Sequence, residues 1–191
     1  VIPKMPKWEW RAFGPDLSLV EDKLAALPVL ASMERQETLI VSKCSEAFCM
    51  LREDALHLWQ TLSRDGVLVQ WDEELVLPFP LTEAQIAQVF RAWGLETPQV
   101  DGGELPAELF MMILVGGSEE LKTVDCQSSS RVYRIDGAEV VQAILHLDGE
   151  AVRSLSVSHD DATAVRDVVA RLGLRGAGSS FRAFLAAVAP W

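Results

Sequence analysis

Lys7, Glu9 and Arg11 alternate with Trp8, Trp10 and Ala12 near the start of this chain. A period of two belongs to a strand, which sends successive side chains to opposite faces. One face then carries two tryptophans suited to burial; the other carries an ammonium, a carboxylate and a guanidinium at close spacing. Turned towards a cavity or a partner, such a face would be a site. Turned towards water it is an ordinary solvated strand. Other chemistries find less support. His57, His146 and His159 are isolated in sequence and read as surface or strand histidines. There is no Gly-x-Ser-x-Gly elbow and no Gly-x-x-x-x-Gly-Lys loop. Ser128 to Ser130 read as a strand break or polar loop, and Asp160-Asp161 as a helix cap. Cys44 and Cys49 lack the companion pair a zinc site needs, so both read as buried thiols.

The elements that must position the charged face are strands joined by tight turns, with helices between. Asp16 is placed to cap a helix whose apolar stripe is Leu17, Val20, Leu24 and Leu27. Strands are expected at Gln36 to Ser42, Ala47 to Arg52, Leu56 to Leu62 and Val67 to Pro78, the last two joined through Asp65-Gly66. Thr82 and Gln85 make a capping box ahead of the stripe Ile86, Val89, Phe90 and Trp93. Leu105 to Val115 reads as a short buried helix, with a strand as the alternative for an apolar run this short. Strands follow at Leu121 to Gln127 and Arg131 to Ile135, as one or two, then at Ala138 to Leu147 and Val152 to His159, with turns at Asp136-Gly137 and Asp148-Gly149. Asp161 or Thr163 caps a helix with the stripe Val165, Val168, Val169 and Leu172. A last amphipathic helix, with Phe181, Phe184, Leu185 and Val188, is expected on the outside. A hairpin strand, a capped helix and a Gly stop occur once in each half, so the chain reads as one domain (1–191) of two related halves, about 1–103 and 104–191.

Composition bounds the partners. With 191 residues, 49% hydrophobic and 24% charged, this is a soluble globular chain with room for one sizeable core. The formal net charge of −11 argues against bulk attraction to nucleic acid or to an anionic membrane, without arguing against an enclosed basic cavity. Three cysteines and no signal-like apolar segment point to a reducing, cytoplasmic setting.

The order of these pieces resembles the CYTH, or triphosphate tunnel, superfamily. Four stretches carry the resemblance: Glu9-Trp10-Arg11-Ala12-Phe13-Gly14, where the family has its Glu-x-Glu-x-Lys signature; Leu51-Arg52-Glu53-Asp54 with the strand and Leu77-Pro78-Phe79-Pro80-Leu81 beyond it; Arg131 to Gly137; and Asp148 to Arg153 with its strand and helix. The resemblance implies an α+β fold, a closed antiparallel β-barrel of about eight strands with flanking helices. A plain open sheet is the competing architecture. It also implies a phosphate-rich small molecule as partner, triphosphate or polyphosphate, held by Arg11, Arg52 and Arg131, with Mg²⁺ or Mn²⁺ at Glu9 for a metal-dependent phosphohydrolase. The sequence departs from the pattern. Lys7 stands where the first signature Glu belongs, Met50 and Trp59 where relatives tend to carry Lys, and Val141 and Ile144 where acidic ligands are expected, Glu139 compensating only on a register shift. The alternative is therefore a non-catalytic tunnel domain that binds a small anion or a protein partner.

Overall fold

The computed structural model describes residues 6–72, 75–100, 103–147, 149–174 and 178–188; Asp148 of the expected last hairpin turn lies outside them. The strands are β1 (Lys7–Phe13), β2 (Ala31–Ser42), β3 (Phe48–Arg52), β4 (Ala55–Trp59), β5 (Thr61–Asp65), β6 (Leu68–Trp71), β7 (Leu75–Pro78), β8 (Leu81–Thr82), β9 (Glu104–Leu105), β10 (Leu121–Ile135), β11 (Ala138–Leu147) and β12 (Glu150–His159). The helices are α1 (Ser18–Ala25), α2 (Glu83–Ala92), α3 (Ala107–Leu109), α4 (Ala162–Leu172) and α5 (Phe181–Val188). The class is α+β, with a large antiparallel sheet.

Ten strands join in the order β5-β6-β1-β12-β11-β10-β2-β3-β4-β7, and β8 pairs with β9 separately. This corrects the expectation of a closed barrel of about eight strands: the hydrogen-bonded order ends at β5 and β7. The extra strands arise because two apolar runs break. Leu56 to Leu62 divides into β4 and β5, and Val67 to Pro78 into β6 and β7. The terminal strand β5 is almost wholly exposed and carries Arg64 and Asp65, the charged surface that discourages further edge pairing.

The chain forms two compact units, one from the described residues of 1–36, 61–73 and 126–190, the other from those of 37–60 and 74–125. In the first, α1 and α4 supply Val20, Leu24, Val165, Val168 and Leu172 to a core with Trp10, Tyr133, Val140, Leu155 and Val157. Asp161 caps α4 by accepting from the Thr163 backbone N–H at 2.8 Å, and Gly173 takes the left-handed conformation that ends it (φ 73°). Asp16 does not cap α1: residues Pro15–Leu17 form a short 3₁₀ turn and Leu17 occupies the cap position without a side-chain bond.

In the second unit, Ile40, Cys49, Leu56, Leu58 and Leu77 pack against Ile86, Val89, Phe90, Trp93, Phe110 and Val115. The capping box at Thr82 and Gln85 is formed on both sides. The expected helix at 105–115 is found from 107 to 115, as a single α turn, α3, running into a π-helical stretch, Phe110–Val115. Cys49 is buried but Cys44 is exposed, contrary to the expectation of two buried thiols. Leu121–Ile135 is one uninterrupted strand, so Ser128 to Ser130 break nothing.

Candidate anion-binding site

Register decides which side chains share a face, because residues directly opposite on neighbouring strands point the same way. In the first unit, Glu9 lies opposite Ser158, Ser158 opposite Glu139, and Glu139 opposite Arg134. The next row is Arg11, Ser156, Val141 and Val132, and the one after it Phe13, Ser154, Ala143 and Ser130. Trp10 and Leu155 fall on the other face, against α1 and α4. The charged side of β1 is thus the side away from the helical core, with a column of serines beside it. Ser154 and Ser156 are buried. Lys7 shares this face two residues before Glu9, and its Nζ lies 4.0 Å from Glu139 Oε1.

Glu9 and Arg11 are locked together. Arg11 donates from Nε to Glu9 Oε1 at 2.8 Å and from Nη2 to Oε2 at 2.9 Å, the two-bond fork in which guanidinium and carboxylate match best. Side-chain exposure is 26% for Arg11 and 16% for Glu9. Burial is the largest influence on the Arg11 pKa and pulls it down; the charge of Glu9 and its hydrogen bond act the other way and together prevail, so the pKa is raised. The Phe181 ring covers the guanidinium at 5.4 Å, Phe184 stacks on Phe13 at 3.8 Å, and the Ser179 N–H donates to the Arg11 carbonyl at 2.8 Å. The last helix therefore lies on the charged face, not on the outside as expected.

Arg131 is placed differently. It lies opposite Gln142, which lies opposite Leu155, so it belongs to the face of Tyr133 and Trp10 and is not brought together with Glu9 and Arg11. Arg134 and Glu139 are the residues that β10 and β11 bring to the face of Glu9 and Arg11. Glu139 needs no register shift to do so, since 139 and 141 have the same parity; Ile144 lies on the opposite face.

The second unit holds Arg52. The two-residue turn Glu53-Asp54, both at positive φ (50° and 58°), closes the β3–β4 hairpin directly after it. Arg52 donates from Nη1 to Glu37 Oε1 at 3.0 Å and from Nη2 to His57 Nδ1 at 3.2 Å. A guanidinium cannot accept, so Nδ1 does, which places the ring proton of neutral His57 on Nε2. Glu37 and His57 are both buried, and His57 stacks on Trp59 with centroids 6.0 Å apart. The sequence reading missed Glu37, and it took His57 as isolated. Met50 lies opposite His57 on this face, so the hydrogen-bonded trio borders apolar surface.

No family model matches the sequence, and no curated protein matches it. Solved structures do. HpAC1 from Hippeastrum, a candidate adenylyl cyclase with a dominant triphosphatase activity, is similar with a TM-score of 0.53 at 12% identity, over 94% of this chain and 94% of that one. A candidate adenylate cyclase of Bacillus halodurans, bh2851, gives 0.54 at 8% identity over 90% and 91%. PH1012 of Pyrococcus horikoshii OT3 gives 0.52 at 12% identity over 91% and 94%. The fold is that of the CYTH, or triphosphate tunnel, proteins.

The CYTH resemblance brings with it the expectation of Mg²⁺ or Mn²⁺ at Glu9, and the side chains here do not fit such a site. Both Glu9 oxygens accept from Arg11, and the neighbouring carboxylate, Glu139, has the Lys7 ammonium beside it. Among the described residues no three His, Cys, Asp or Glu side chains come together. A hard cation takes several oxygen ligands and prefers ionised carboxylates free to turn towards it. Among the described residues no helix is long and apolar enough to cross a membrane.

Proposed function

We propose that this chain binds a phosphate-rich small molecule, of the inorganic triphosphate, polyphosphate or organic triphosphate class, on the charged face of the first unit, with Arg11 as a contact. The observation that supports this reading is the state of the Arg11 guanidinium. It is held in a fixed orientation by Glu9 through Nε and Nη2, which keeps Nη1 in place for anionic oxygens. The neighbour from Hippeastrum makes triphosphate the first ligand to try. Arg131, on the other face, has no part in this reading.

Binding without hydrolysis is the reading the donor set favours. Two-metal phosphoryl transfer needs carboxylates to hold the ions, and here the carboxylates are engaged by Arg and Lys. Calorimetry with inorganic triphosphate is the test: binding is expected, and Arg11→Ala should weaken it. Heat no different from buffer dilution would end the proposal. Phosphate release in Mg²⁺ or Mn²⁺ that Glu9→Gln abolishes would replace binding with hydrolysis.

A further inference from the structure

We infer that Lys7 is the resident cation of the charged face in the first unit, and that its phosphate ligand is held there without a divalent metal. The inference rests on the phosphate-binding reading above and goes beyond it by naming what neutralises the ligand.

Three observations carry it. Lys7 is on the same face as Glu9 and Arg11, two residues before Glu9, and its ammonium stands 4.0 Å from Glu139. The two carboxylates on this face lie on strands separated by β12, so roughly 10 Å of sheet lies between their backbones. What fills that interval is Ser158, a neutral hydroxyl, and a divalent ion entering it would meet the Lys7 charge as repulsion. In the rows around Glu9 and Arg11 the face carries Lys7, Arg11 and Arg134 against Glu9 and Glu139, a local excess of cation before any metal is added. A phosphate anion is drawn to such a face directly; a divalent cation is not. The Lys7 side chain is 45% exposed, so it can turn towards a ligand without breaking into the core.

The experiment is calorimetric titration of the whole chain with inorganic triphosphate, in EDTA and again in excess Mg²⁺. The wild type should bind in EDTA, with no tightening when Mg²⁺ is supplied. Lys7→Met should bind about fivefold more weakly in EDTA, the size of one exposed charge contact, and still gain nothing from Mg²⁺. Lys7→Glu should bind more weakly again in EDTA and be tightened by Mg²⁺, since it places a second carboxylate beside Glu9. Unchanged circular dichroism in both variants would confirm folding, as expected for a half-exposed position. Wild-type binding that requires Mg²⁺, or Lys7→Met binding as tightly as wild type in EDTA, would overturn this inference alone. No wild-type binding in either buffer would remove the phosphate-binding reading itself, and this one with it.

Discussion

Arg11 and Arg52 reach their carboxylates by different routes, and the difference decides what could be read from residue order. Glu9 and Arg11 stand two apart on one strand, so their pairing follows from alternation. Glu37 and Arg52 stand fifteen apart and meet only through the pairing of β2 with β3; nothing in the local pattern of either strand announces it. The Arg52 and Glu37 side chains are only 16% and 6% exposed, so removing one charge strands the other in a poorly hydrated place. Glu37→Gln should therefore cost about 3 kcal/mol in urea unfolding, with Glu37→Gln/Arg52→Met costing less than the sum of the two single changes. Strict additivity would show that the pair is not coupled. The thiols allow a simpler check. Burial pushes the Cys49 pKa well up, the adjacent Trp93 indole offsetting only part of it, so Cys49 stays a protonated thiol through the neutral and mildly alkaline range. Cys126 is also buried and Cys44 exposed. Iodoacetamide at mildly alkaline pH should modify Cys44 alone in the native protein and all three cysteines after denaturation; native labelling of Cys49 would contradict the packing around α2.

At the scale of elements, local chemistry was legible and face assignment was not always. The capping box of α2 is written in Thr82 and Gln85 and is found as written; Thr82→Ala should lower stability by about 1 kcal/mol, measured by thermal or urea unfolding. Strand β10 shows the limit. Its buried side chains are Val124 and Cys126 near one end and Tyr133 and Ile135 near the other, a change from even to odd positions within one continuous strand. A period-two reading cannot be carried across such a change; Arg131, which the family resemblance assigns to phosphate, falls on the face of Tyr133, while Arg134 falls on that of Glu139. The last helix was placed outside for a related reason: its apolar stripe announces burial but not against which face. Phe181 and Phe184 in fact lie on Arg11 and Phe13. Phe181→Ala should therefore have effects of opposite sign. It removes a buried ring, lowering Tm, and it uncovers the guanidinium, tightening triphosphate binding by about two- to fivefold through loss of a cation–π contact worth roughly 0.5–1 kcal/mol. Weaker binding together with lower Tm would mean that the helix supports the Arg11 geometry instead of shielding it.

At the scale of the whole molecule, a cationic face belongs to a chain of net charge −11, and the two act on a polyanion at different distances. Far from the protein an approaching triphosphate meets the summed charge and is repelled; within hydrogen-bond range it meets Lys7, Arg11 and Arg134. Salt separates the two, since the screening length falls from about 30 Å at 0.01 M to about 8 Å at 0.15 M. Over that range the long-range repulsion is largely removed, so the association rate should rise, by about threefold or more, while dissociation also quickens as the short-range contacts weaken. The six tryptophans supply a signal for stopped-flow mixing. A site on a basic protein shows the reverse, with association slowing as salt is added. An association rate that falls here would mean that the local cations, and not the acidic remainder, set the field along the approach. Composition made the acidic exterior visible at the outset, but the countervailing face is assembled from β1, β10 and β11, strands far apart in sequence, and only their register makes it one surface.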